Sequence, residues 1–283
     1  MSKIKLVADS TCDLSPQLIE KYDISIIPLC IIMEDESYYD GEQICPEQIY
    51  AWSDEHRTTP KTSAPSYERA LEVVKPLMDE DCEIIFLGIS EQMSTTCNIL
   101  RLIADDYHYD KLHVIDSMNL STGIGLQILY AAWLISEGKS AAQIVELVEN
   151  RRTKVRASFV VETLTYLARG GRCSAVTALL GNTLKLKPQI VVEKGAMQVS
   201  KKFRGKQSAV ILKYVQELEP ALVHADPEAV FITHSGCDEA VIESVYSYLE
   251  SLDYFANIYV TRAGGVISSH CGPGTLGVLF YAD

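Results

Sequence analysis

Apolar residues in this chain fall into two kinds of run. Some are short and nearly unbroken: 3–8, 24–33, 83–89, 112–117 and 155–161. Runs of this length without polar alternation predict strands buried on both faces. Others recur at helical spacing over 67–78, 141–152, 208–218 and 238–252, and a long apolar stretch covers 122–136. Shorter helices are expected at 16–22, 46–54 and 174–180, and one opening on 90–96 should run to about 105. Ser15-Pro16 supplies an N-cap and first-turn pair, and Ser66 caps the helix that follows it.

Later in the chain, strands are predicted at 188–192, 196–201, 229–233 and 257–261, the first two joined as a hairpin through Glu193-Lys194-Gly195. A turn is expected at Arg169-Gly170-Gly171-Arg172. Strands alternating with helices predict an α/β fold of two α/β domains with mostly parallel sheets. The basic run Arg151-Arg152-Thr153-Lys154 marks the boundary, giving domains 1–153 and 154–283.

Near the end, Gly272-Pro273-Gly274-Thr275-Leu276-Gly277 spells the glycine pattern of a dinucleotide-binding turn. That fingerprint needs a helix, a further strand and a distant acidic residue after it. Only six residues follow Gly277. The glycines instead predict a tight turn after an apolar, strand-like run, and His270 beside Ser268 and Ser269 becomes the residue of interest.

Composition narrows the function. The chain has 283 residues, 47% of them hydrophobic, and a formal charge of −13, which disfavours nucleic acid and anionic membranes as partners. No apolar run is long enough to span a bilayer, and the N-terminal one is too short for a signal peptide. Eight scattered cysteines hold no C-x-x-C pair and predict buried, reduced thiols in a cytoplasmic protein. The charge is unevenly spread. Residues 151–206 hold 13 of the 25 Lys and Arg but only Glu162 and Glu193 as acids, so that segment is +11 and the remainder −24. A localised basic segment steers an acidic or phosphate-bearing partner.

Familiar catalytic equipment is missing. Gly88-Ile89-Ser90-Glu91-Gln92 lacks the second glycine of a nucleophile elbow, the phosphate loop of a kinase is absent, and no helix carries a paired-histidine metal motif. Hydroxyl clusters at Thr62-Ser63, Ser94-Thr95-Thr96 and Ser268-Ser269 are candidate binding groups. Ser66, Ser94 and Thr96 fit helix caps equally well, and His270 alone fits a structural turn.

Several separated motifs together carry a family resemblance. Val7-Ala8-Asp9-Ser10-Thr11-Cys12-Asp13-Leu14, Thr62-Ser63-Ala64-Pro65-Ser66, Val114-Ile115-Asp116-Ser117, Leu167-Ala168-Arg169-Gly170-Gly171-Arg172, Leu180 to Pro188 and His270-Cys271-Gly272-Pro273-Gly274 occur in an order that resembles the DegV family, the fatty-acid-binding (FakB-type) subunits of bacterial fatty acid kinase. One departure is Thr95, where the family usually has glycine.

The resemblance implies a long-chain fatty acid between the two domains, its carboxylate held by Thr62, Ser94 and His270, with Arg204 the nearest match to a further arginine. It also implies a carrier that is not catalytic alone and has no cofactor or metal of its own. Such a carrier serves phospholipid metabolism by presenting the acid to a separate ATP-dependent kinase, which forms an acyl phosphate. Arg169, Arg172, Lys201 and Lys202 are the expected docking residues. The helices at 124–135 and 174–180 are expected to line the tail tunnel. A second reading follows the substrate domain of dihydroxyacetone kinases, in which His270 would hold a small ketone.

Overall fold

A computed structural model describes residues 3–173 and 186–283. The first half centres on a four-stranded, wholly parallel sheet of β1 (Ile4–Asp9), β2 (Ser25–Ile27), β6 (Glu83–Gly88) and β7 (Leu112–Asp116), in the order β2-β1-β6-β7. Its strands are the unbroken apolar runs of the sequence, and both faces are covered. Val7, Ile84 and Phe86 pack against α3 (Tyr67–Asp79) and α4 (Thr96–Asp106). Leu6, Ala8, Ile85 and Leu87 point the other way, into a core shared with α5 (Thr122–Ser136) and α6 (Ala141–Arg151). The short α1 (Pro16–Lys21) starts as expected, with the Ser15 hydroxyl accepting from the Leu18 N–H.

The expected strand at 24–33 is two strands in different sheets. Pro28 has no N–H to give a ladder, and the chain leaves the parallel sheet there. It resumes as β3 (Cys30–Met33), which pairs antiparallel with β4 (Glu36–Tyr39) and β5 (Lys61–Ser63). Between β4 and β5 lies α2 (Pro46–His56).

The second sheet corrects the expectation of mostly parallel strands. Its six strands are β8 (Val155–Val160), β9 (Lys187–Glu193), β10 (Ala196–Phe203), β11 (Ala225–His234), β12 (Ile258–Arg262) and β13 (Leu276–Ala282), ordered β10-β9-β8-β13-β11-β12. Every pairing is antiparallel except β11 with β12. The reason lies in the tail. Residues 276–282, for which the sequence predicts no strand, form β13 and insert between β8 and β11, running against both. Helices α8 (Gln207–Leu222) and α9 (Glu239–Ser251) cover one face. Two further short helices are α7 (Thr165–Gly170) and α10 (Gly265–Cys271). The latter replaces the strand-like run expected before Gly272. The helix expected at 174–180, and the motif through Lys185, lie outside the described residues.

α5 lies between the two large sheets. Ten of its 15 residues are buried, and it meets β1 and β6 on one side and β8, β11 and β13 on the other. A helix covered on opposite faces needs apolar residues all round, which is what its sequence supplies. Of the cysteines, Cys12, Cys82, Cys97, Cys173 and Cys271 are buried as expected, but Cys45 is exposed and Cys30 and Cys237 are half-buried.

Candidate functional site

Thr62 and His270 are 208 positions apart and meet. Thr62 sits in β5, held opposite Ile31 by the small antiparallel sheet. His270 occupies the last turn of α10. The Thr62 Oγ1 and His270 Nε2 atoms are 2.7 Å apart. Burial, and then the nearby Arg172 guanidinium, lower the His270 pKa to about 4, so the imidazole is neutral at pH 7. Its Nδ1 is buried without a hydrogen-bond partner. An unpaired acceptor at that position is less costly than an unpaired N–H, which favours the tautomer with its proton on Nε2. Nε2 then donates to Thr62 Oγ1, and the threonine hydroxyl proton is left to point elsewhere.

Gly170 makes room for this ring. A Cβ there would clash with Nδ1, so the glycine at the end of α7 is a steric requirement and not only part of a turn. Gly272 and Gly274, with φ of 72° and 74°, turn the chain sharply after α10, as the sequence predicts.

Thr62, His270 and Ser94 line one cavity of about 410 Å³, within the range of roughly 300–1,000 Å³ for small-molecule sites. Its walls are largely apolar, with Leu29, Ile89, Met93, Leu120, Met197 and Ile267 among the lining residues. Ser94 lies in the turn after β6, and its Oγ is 2.8 Å from Thr96 Oγ1. Thr95, beside it, has φ −95°, an ordinary value for an L-residue. The threonine therefore fits this turn without glycine's freedom.

Other expected residues fall elsewhere. Arg204 is exposed in the segment after β10 and does not line the cavity. Arg172, expected on a docking face, is exposed and also lines the cavity, with Nη1 donating to the Gly170 carbonyl at 2.9 Å. Arg169 and Lys202 are exposed, and Lys201 is exposed and paired with Glu217 at 2.9 Å. The hydroxyls of Ser268 and Ser269 donate to the carbonyls of Ala263 and Gly265, so this cluster serves its own helix. Ser66 is a cap, accepting from the Arg69 N–H at 3.1 Å. Ser90 is held by the Gly195 carbonyl at 2.7 Å. Among the described residues, none of the 124–135 helix lines this cavity; Leu120, in the turn before it, does.

Sequence reasoning missed Gly170 as a steric partner of His270 and Arg172 as a cavity residue. The motif Arg169-Gly170-Gly171-Arg172 contained both. Among the described residues, no group of three or more His, Cys, Asp or Glu could hold a metal ion, and no helix is long and apolar enough to cross a membrane.

Known proteins share this architecture. A DegV domain-containing protein of Clostridium acetobutylicum is 32% identical over 287 residues, covering 99% of each chain. A Thermus thermophilus DegV family protein whose fatty acid binding is described superposes with a TM-score of 0.90 at 28% identity, covering 99% of this chain and 100% of that one. A stearic-acid-binding protein of Eubacterium ventriosum superposes with a TM-score of 0.85 at 27% identity, covering 100% of this chain and 98% of that one. The model of the DegV family of uncharacterised proteins matches residues 3–283, and with full-length relatives above 30% identity the chain belongs to the DegV family.

Proposed function

We propose that this protein binds a long-chain fatty acid and presents its carboxylate to a separate ATP-dependent kinase. The observation that carries this reading is the Thr62–His270 pair at the edge of an apolar-walled cavity. A neutral imidazole that donates to Thr62 leaves the Thr62 hydroxyl free to donate to an anion. Ser94 supplies a second hydroxyl, and Arg172 places positive charge on the same cavity. Structures of relatives with bound fatty acid support the choice of ligand.

A fatty acid is ionised at pH 7 and is already a phosphoryl acceptor, so no general base is required. Neutral hydroxyl donors hold it while leaving its oxygens nucleophilic. The tail supplies most of the affinity. At about 0.8 kcal/mol per buried methylene, roughly 14 methylenes contribute about 11 kcal/mol before ordering costs. The kinase brings ATP and magnesium, and the exposed Arg169 and Lys202, with Lys201 and Arg172, form a basic face for it. In this reading the carrier divides near 153/154 into the two domains that enclose the ligand.

The deciding experiment is native mass spectrometry with lipid extraction of the purified protein, followed by incubation with a fatty acid kinase subunit and ATP. One bound acyl chain, converted to acyl phosphate only when both proteins are present, is the expected result. A protein that neither carries nor takes up a fatty acid would end this reading. Binding without phosphorylation would leave the lipid site and remove the kinase.

A further inference from the structure

Three buried carboxylates lie close to one another, and none lines the cavity: Asp9, Asp13 and Asp40. Two of them meet the amino end of α10, the helix that carries His270. Asp13 Oδ1 accepts from the Gly264 N–H at 2.7 Å, and Asp40 Oδ1 accepts from the Gly265 N–H at the same distance. The remaining oxygens are tied down as well. Asp13 Oδ2 accepts from the Ser121 hydroxyl, and Asp40 Oδ2 from the Ser10 hydroxyl at 2.8 Å. Ser10 in turn accepts from the N–H of Leu29, itself a cavity-wall residue, at 3.2 Å.

α10 has only seven residues, so most of its backbone donors have no partner within the helix. Without outside acceptors such a short segment has little reason to stay helical. The glycines at its start let the acids in. A Cβ on Gly265 would lie 2.8 Å from Asp40 Oδ1 and 2.6 Å from Ile31 Cδ1. Burial pushes the Asp13 carboxyl up to about 8, with the Ser121 and Gly264 hydrogen bonds pulling it back, and raises Asp40 for the same reason.

We propose that Asp13 and Asp40 are positioning residues: they clamp the amino end of α10 and thereby hold the His270 imidazole against Thr62. Neither touches ligand. Asp13 reaches α10 from the turn after β1, and Asp40 from the end of β4. The head-group pair is thus registered against both the parallel sheet and the small antiparallel sheet. The link to affinity rests on the fatty-acid reading above, whereas the link to the imidazole does not.

The test uses the full chain in two arms. Nitrogen-detected imidazole NMR of ligand-free protein reads the His270 tautomer, and calorimetric titration with oleate reads affinity. The wild type is expected to show a single neutral tautomer protonated on Nε2. Asp40→Ala should show mixed tautomers and bind oleate at least tenfold more weakly. Asp40→Asn, whose amide oxygen still accepts from Gly265, should stay within about threefold of the wild type. Val74→Ala, buried beneath the far face of the parallel sheet, is the control for a matched loss of Tm and should change neither readout.

An unchanged imidazole spectrum in Asp40→Ala overturns the proposal, as does an equal loss of affinity in Val74→Ala. Should Asp40→Ala fail to fold, Ser10→Ala loosens the same carboxylate and should give mixed tautomers, and an unchanged spectrum there is equally fatal. Failure of the wild type to bind oleate would sink the proposed function and leave the imidazole arm to decide this one.

Discussion

The cavity and the basic face handle charge in opposite ways. Inside, the groups nearest Thr62 are neutral hydroxyls and a histidine whose pKa is lowered to about 4, and the charged residues that line the same cavity, Arg172 and Glu91, are themselves exposed. Outside, Arg169 and Lys202 stand exposed on α7 and β10. A buried cation facing a carboxylate would hold it tightly but would compete for the lone pairs that must attack phosphorus. An exposed cation attracts a partner over a Debye length of about 10 Å without entering the chemistry. Neutral donors at the buried pair, with charges kept to exposed positions, is the arrangement expected of a carrier that must hold an anion and still surrender it.

The sharpest way to break this contrast is to disturb the interior pair. Gly170→Ala places a methyl group against His270 Nδ1, and His270→Ala removes the ring. Each is expected to weaken fatty-acid binding by roughly 10–100-fold, the scale of about 1.5–3 kcal/mol for a hydrogen bond to a charged group. Combined with Thr62→Ala, His270→Ala should cost less than the sum of the two, because both act through one donor. Titration of the purified variants checks this, and full additivity would separate the two residues. A smaller effect is expected outside. Arg169→Glu with Lys202→Glu should weaken kinase docking about tenfold at low salt and much less at 0.5 M salt, with bound lipid unchanged. Loss of lipid in that variant would erase the distinction between the two regions.

The last test concerns protons, and it reads stability in place of affinity. Folded His270 titrates near pH 4, against about 6.5 for an unperturbed histidine. Between those values the unfolded chain binds more protons. The stabilisation is therefore fully present above pH 6.5 and is lost as the pH falls through 4, by at most about 3 kcal/mol. Asp9 and Asp13, raised to about 6 and about 8, act in the opposite sense, since the folded state is the one that holds their protons. The comparison that isolates the histidine is the Tm of wild type minus that of His270→Gln, which should fall as the pH drops from 6.5 to 4. A flat difference would mean that the ring is not desolvated.

The parallel sheet was legible because strands buried on both faces are written as unbroken apolar runs. The second sheet was not, because its topology depends on where β13 inserts, and no local pattern encodes that. α10 was misread for a related reason. Gly264-Gly265-Val266-Ile267 has little helical preference, and its helix is held by Asp13 and Asp40 from far away in the chain. Thr62, Ser94 and His270 stood out as separate candidates from their hydroxyl clusters and the turn beside Gly272, but only the order of several motifs joined them, since nothing in their spacing reveals that they share a cavity. Arg204 was expected there, but a side chain's direction after a hairpin is set by packing, and the arginine that lines the cavity among the described residues is Arg172.

α5 has a consequence for how this chain is made. One of its faces is covered by strands that precede it, β1 and β6. The other waits for β8, β11 and β13, the last of which ends at Ala282. As the chain leaves the ribosome, the parallel sheet and its helices are complete long before that second face has its full cover. A nascent or truncated chain therefore exposes a long apolar stripe, the kind of surface that recruits chaperones or aggregates. The final strand is also the cover that the first half has been missing.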